Sequence, residues 1–147
     1  MMKIIPLLSL VGLSLFFLGC QNPHLFSSSL AFEEVDGVPL ERIHEAVIQV
    51  FTAERYKIVE SKKYKIIFSR EGTTNEWLQY GSYKEAFTIR VEVILSPQGK
   101  DYVILNADAF AIRGESERGA TRLAKLSYWP YQQLLQRVKE KAEKGTL

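Results

Sequence analysis

The chain has 147 residues, 46% of them hydrophobic, with 19 Lys and Arg against 17 Asp and Glu and a single cysteine. A formal charge of +2 lacks the basic excess that a nucleic-acid binder concentrates on one face, so nucleic acid is not an expected partner. One cysteine excludes an intrachain disulfide, and the length allows one domain whose stability rests on packing.

Residues 1–19, MMKIIPLLSLVGLSLFFLG, combine Lys3 with an apolar run from Ile4 to Leu18 and end at Gly19, directly before Cys20. That is the charged, apolar and small-residue order of a secretory signal peptide. The run is about fifteen residues, short of the roughly twenty that span a bilayer, and Pro6, Gly12 and Ser14 interrupt it. Gly19-Cys20 resembles the lipobox of bacterial lipoproteins, although Phe17 stands where Leu is usual and Leu18 where a small residue is usual. The resemblance implies cleavage before Cys20, a diacylglycerol thioether on its sulfur, and anchoring of the mature chain to a membrane. Two acyl chains hold a protein at a bilayer where one is marginal. Gln21, in place of the Asp that signals inner-membrane retention, implies the outer membrane, facing the periplasm. Only Lys3 among the charged residues precedes Cys20, which leaves 18 basic and 17 acidic side chains in the mature chain.

Residues 20–36 read as a lipid-anchored tether, with Pro23 and the run Ser27-Ser28-Ser29 and no apolar period. Within it, Leu30 to Val35 fits either a short strand or an extended arm. Residues 37–147 form the expected domain. Asp36-Gly37-Val38-Pro39 is a turn leading into a helix, because Leu40, Ile43, Val47, Val50 and Phe51 recur at spacings of three and four as far as about Glu54. His44 borders that apolar stripe and reads as a boundary residue, since no Cys, His or carboxylate accompanies it at ligand spacing.

Two short strands follow, Tyr56–Glu60 and Tyr64–Arg70, linked by the hairpin-length Ser61-Lys62-Lys63. Glu71 to Ser82 reads as a loop carrying Trp77, Leu78 and Tyr80, aromatics that either fold over the core edge or face a partner. The strongest period-two signal comes next: Phe87, Ile89, Val91, Val93 and Leu95 alternate with Thr88, Arg90, Glu92 and Ile94. A turn at Ser96–Lys100 brings back Tyr102–Ile112, with Val103, Leu105, Ala107, Ala109 and Ala111 on one face. A column of alanines leaves room for helices to approach. The opposite face carries Tyr102, Asn106, Asp108 and Phe110 beside Arg90 and Glu92. Residues 114–119 are a charged linker, and the last helix starts near Ser127 with Pro130 in its first turn and a stripe of Tyr131, Leu134, Leu135, Val138 and Ala142.

These elements predict an α+β domain, a two-layer sandwich in which a mainly antiparallel sheet of about four strands carries two helices on one face. No nucleophile elbow, HExxH, CxxC, phosphate-binding loop or dinucleotide fingerprint occurs, so an enzyme, a metal and a cofactor are not expected. Glu92 and Asp108 on neighbouring strands are a carboxylate pair, but Arg90 and Asn106 beside them favour ordinary cross-strand pairing. The order of helices and strands is similar to that of small outer-membrane lipoproteins that assist lipopolysaccharide or outer-membrane protein assembly. The expected function is therefore a non-enzymatic, membrane-anchored module of the cell envelope that docks an envelope protein or other component. Beyond Cys20, the contact residues are expected at Trp77, Tyr80, Tyr83, Arg90, Tyr102 and Phe110, because aromatics and Arg dominate binding hot spots. The alternative is an envelope hydrolase or small-ligand carrier with a pocket near the 71–82 loop, using His44 or Glu92 with Asp108.

Overall fold

The structure, a computed structural model, describes residues 28–80, 87–114, 120–123 and 127–145. Its elements in chain order are β1 (Ala31–Asp36), α1 (Leu40–Ala53), β2 (Lys57–Lys62), β3 (Lys65–Glu71), α2 (Thr74–Tyr80), β4 (Phe87–Gly99), β5 (Tyr102–Arg113), β6 (Thr121–Arg122) and α3 (Trp129–Lys144). The long alternating pair becomes the middle of a six-stranded sheet ordered β1-β5-β4-β3-β2, with β6 also on β5. All the pairings are antiparallel.

The register explains which face is buried. Ile89 lies opposite Ala111, Val91 opposite Ala109, Val93 opposite Ala107 and Leu95 opposite Leu105, so large and small side chains meet across the central pair. The alanines are fully buried, and α1 and α3 lie over them. Ile43, Ala46, Val47, Val50 and Phe51 of α1 and Tyr131, Leu134, Leu135, Val138 and Ala142 of α3 enter the same core. The Phe51 ring stacks on Phe68 of β3 at 4.6 Å and meets Tyr56 edge-on at 5.4 Å. The result is the α+β two-layer sandwich that the patterning predicts.

Local chemistry sets the ends of α1. Gly37 adopts φ 71°, a left-handed turn that glycine tolerates, and its N–H donates to Asp101 O at 2.8 Å. At the other end Arg55 takes φ 66°, the Arg55 N–H donates to Thr52 O and the Tyr56 N–H to Phe51 O. With the Phe51–Tyr56 ring contact this completes a Schellman motif in which arginine replaces the usual glycine.

The structure departs from the patterning in four places. The sheet has six strands, more than the four expected, because its outer edge against β5 is shared: β1 covers Tyr102–Ala107 and β6 covers Phe110–Ala111. Residues 31–36, assigned to the tether, are therefore β1 and belong to the domain. The stretch expected as a loop at 71–82 contains α2, initiated by a capping box: the Thr73 hydroxyl accepts from the Glu76 N–H, and the Glu76 carboxylate accepts from the Thr73 N–H at 2.8 Å. Finally, β4 continues through Pro97 to Gly99, with a register shift there. Proline is tolerated because β3 has already ended opposite Ile94, leaving β4 an edge at that level.

Candidate docking face

Every second residue of β3, β4 and β5 points away from the helices. Across that open face Ser69 lies opposite Arg90 and Arg90 opposite Phe110; Ile67 lies opposite Glu92 and Glu92 opposite Asp108; Lys65 lies opposite Ile94 and Ile94 opposite Asn106. At the β1 edge Phe32 extends the Asn106 row, and Glu34 faces Ile104. Phe32 and Ile94 are exposed, while Ile67, Arg90, Ile104 and Phe110 are half-buried. Apolar and charged side chains thus alternate over a flat surface. Among the described residues no helix lies on it, since α1 and α3 pack on the alanine side and the side chains that tie α2 to the domain, Arg70 and Arg113, share that side with Ile89 and Phe87.

The charged groups on this face hold one another in place. Glu92 and Asp108 are direct cross-strand neighbours, a like-charge arrangement that costs energy unless each finds a cation. Each does: Lys65 Nζ lies 2.8 Å from Glu92, and Arg122 Nε donates to Asp108 Oδ1 at 3.1 Å. Asp108 sits at the gap between β1 and β6, where it also accepts the Leu30 N–H at 2.9 Å, while Arg122 reaches the Ser28 carbonyl. Of the carboxylate pair considered for acid–base work, Asp108 thereby joins two edge strands and Glu92 pairs with Lys65 of β3. Tyr102 lies at the far end of the face, and its phenol is raised above the usual tyrosine range chiefly by its hydrogen bond to the Glu34 carboxylate.

The expected contact residues divide. Arg90 and Phe110 are brought side by side, and Tyr102 shares their face. Trp77 and Tyr80 instead fold back against the core. Tyr80 bonds Ser127 through its hydroxyl at 3.0 Å and accepts from Arg113 Nε at 2.6 Å through its carbonyl. Cys20 and Tyr83 lie outside the described residues. The aromatics that are exposed include two that sequence reasoning passed over, Tyr128 at 44% and Trp129 at 55%, with Leu78 of α2 at 71%. A signal was present for Trp129, which stands off the apolar stripe of α3 by position, whereas Tyr128 lies three residues before Tyr131 and continues that stripe by spacing.

The alternative reading needs a pocket, and a cleft of about 470 Å³ does open between β3 and α3, lined by Tyr56, Arg70, Gln133, Arg137 and Glu54 among others. It contains neither His44 nor the Glu92–Asp108 pair. His44 Nε2 lies 3.2 Å from the Lys62 carbonyl and ties α1 to the edge of β2. Behind the cleft Arg70 donates to both oxygens of Glu76, at 2.8 and 2.6 Å, and lies 5.1 Å from the centre of the Tyr56 ring. Burial pushes the Tyr56 and Tyr131 phenols up. Burial also acts to raise the Glu76 carboxyl, but the hydrogen bonds from Arg70 and Thr73 outweigh it and hold Glu76 below the usual carboxylate range. Arg137 in turn bonds Glu54 at 2.5 Å. Both guanidiniums are committed to carboxylates, which suits structural clamps that tie β3 to α2 and α3 to the end of α1 better than an anion-binding pocket.

No family model and no curated protein matches the chain. Among the described residues, no helix is long and apolar enough to cross a membrane.

Proposed function

We propose that this protein is a cell-envelope lipoprotein, held by a lipid on Cys20 to the outer membrane, whose small α+β domain is a non-enzymatic module that docks an envelope protein. The observation that carries the docking reading is the asymmetry of the sheet. One face is sealed by α1 and α3, and the other offers Phe32, Ile94, Ile104 and Phe110 interleaved with Arg90 and paired charges. Such a mixed surface is typical of a non-obligate interface, where apolar and aromatic anchors give affinity and the charged surround sets register. The anchor follows from the signal-like segment and Cys20.

A photoreactive residue at position 110 tests the docking face in intact cells. Crosslinks from position 110 and from position 94, but not from an exposed position on the helix layer such as Gln136, are the expected result. No adduct from either open-face position overturns the reading. The anchor is tested separately, because Cys20→Ser is expected to move the domain out of the membrane fraction, and unchanged fractionation counts against it. The ligand-carrier alternative rests on the cleft beside Arg70 and Tyr56.

A further inference from the structure

The chain enters the domain at a particular end of it. Because Asp36 lies opposite Tyr102 and Ala31 opposite Ala107, the first residue of β1 is directed toward the C-terminal end of β5, and Ser28 and Leu30 are held there by Arg122 and Asp108. Arg113, the last residue of β5, bonds the carbonyl of Tyr80 at the end of α2, and the Tyr80 hydroxyl bonds Ser127, just before α3. One turn into α3, the Gln132 amide clasps both backbone groups of Phe32, donating to its carbonyl at 2.8 Å and accepting its N–H at 3.3 Å. The end of α2, the start of α3 and the incoming chain therefore meet at one pole.

That pole is unusually apolar for a surface. Among the described residues eight large hydrophobic side chains are exposed, and three of them are here: Leu78 at 71%, Trp129 at 55% and Tyr128 at 44%. Trp129 packs edge-on against Tyr128 at 6.1 Å, so the two rings form one amphipathic unit. Trp and Tyr favour sites with one end apolar and the other wet, as at the boundary of a bilayer.

We infer that this pole is a membrane-contact surface: Trp129, Tyr128 and Leu78 dip into the headgroup region of the bilayer to which Cys20 is attached. The inference rests on the lipid-anchor reading and deepens it. Length supplies the argument for the occupant. Cys20 and Ser28 are eight residues apart, so even a fully extended chain spans no more than about 28 Å. A domain of this size is about 35 Å across. The lipid therefore cannot be attached with the opposite pole toward the membrane unless the connecting chain runs along the side of the domain. The apolar pole is the one the anchor brings to the lipid, and the turn at Lys100-Asp101 is directed away from it.

The two tryptophans make the contact measurable. The lipidated mature chain is reconstituted into phosphatidylcholine vesicles with and without brominated acyl chains, in two forms: Trp77→Phe, which reports Trp129, and Trp129→Phe, which reports the inward-packed Trp77. Expected are a blue shift and loss of most of the Trp129 emission in brominated vesicles, with Trp77 emission little changed. Equal, weak quenching of both tryptophans in vesicles that carry the protein on flotation overturns the inference and leaves the anchor standing. A blue-shifted but unquenched Trp129 means that a second copy covers the pole, which also overturns it. Failure to float overturns the anchor reading itself, and this inference with it. Loss of near-ultraviolet dichroism marks a misfolded variant, and the question then passes to the wild-type chain, in which acrylamide accessibility of the total emission must fall on vesicle binding.

Discussion

Replacing Arg70 with Met tests whether the β3–α2 junction is held by a committed ion pair. The guanidinium donates twice to Glu76, at 2.8 and 2.6 Å, and both side chains are about one-fifth exposed. Removing one partner of a fully buried pair costs about 3–5 kcal/mol, because the other charge is left without compensation. Partial exposure lets water solvate the orphaned carboxylate, so the expected loss for Arg70→Met is about 2–3 kcal/mol, including the cation–π contact with Tyr56. In urea, with a slope of about 1.5 kcal/mol per molar, that is a fall in midpoint of about 1.3–2 M. Glu76→Gln in the same background returns part of the loss, since a neutral amide needs no cation and still caps Thr73.

Acid titration of the same variant gives an independent check. The folded Glu76 carboxyl is held below its unfolded value near 4.3, so its stabilising contribution is complete above that value and fades as pH falls through the folded one. In Arg70→Met the carboxyl titrates higher and protonation relieves the orphaned charge. The gap between wild type and variant should therefore narrow below about pH 4. An unchanged urea midpoint at neutral pH, or a deficit that stays constant on acidification, refutes the reasoning.

Two further substitutions probe the packing that makes the sheet one-sided. A Cβ built on Gly72 falls 2.0 Å from Phe87 Cδ1 and 2.3 Å from Cε1, so Gly72→Ala is expected to cost about 1–3 kcal/mol in urea unfolding, and adding Phe87→Leu should make the pair less than additive. Ala109→Leu places a large side chain opposite Val91 beneath the helices; a loss of about 1–3 kcal/mol, read as a fall of roughly 3–15 °C in melting temperature, is expected. A neutral result would mean that the helices do not approach the alanine column closely.

Period and spacing carried the parts of this fold that depend on one segment at a time. The Phe87–Leu95 alternation, the alanine column and the two amphipathic stripes are local patterns, and each became the element and the buried face it implies. The patterns failed where a long-range partner decides. Leu30–Val35 fits either a strand or an extended arm by pattern, and it is the edge of β5 that makes residues 31–36 a strand, with the Gln132 amide closing its outer side. The capping pair Thr73 and Glu76 was legible, but seven residues of helix between turn-forming glycines looked like loop, and Arg70 bonding Glu76 is what holds it. Tyr64, assigned to a strand, sits exposed in the two-residue turn after β2.

The contact residues follow the same division. Arg90 and Phe110 share a face because strand period is fixed by backbone geometry, so their exposure to one side was readable from the chain alone. Trp77 and Tyr80 were readable only as aromatics. Whether they point in or out depends on which side of α2 meets the core, and in the structure they pack inward while Leu78 points out.

By itself the sequence determined the α+β class and which residues of each long strand share a face. These rest on short-range chemistry: hydrophobic period and turn residues. Only the tertiary structure decided that the sheet has six strands, that Asp108 joins two of them, and that the incoming chain, α2 and the start of α3 converge on one apolar pole. Those outcomes depend on contacts between residues a hundred or more positions apart, such as Phe32 with Gln132, and no local pattern encodes which distant backbone group a side chain will reach.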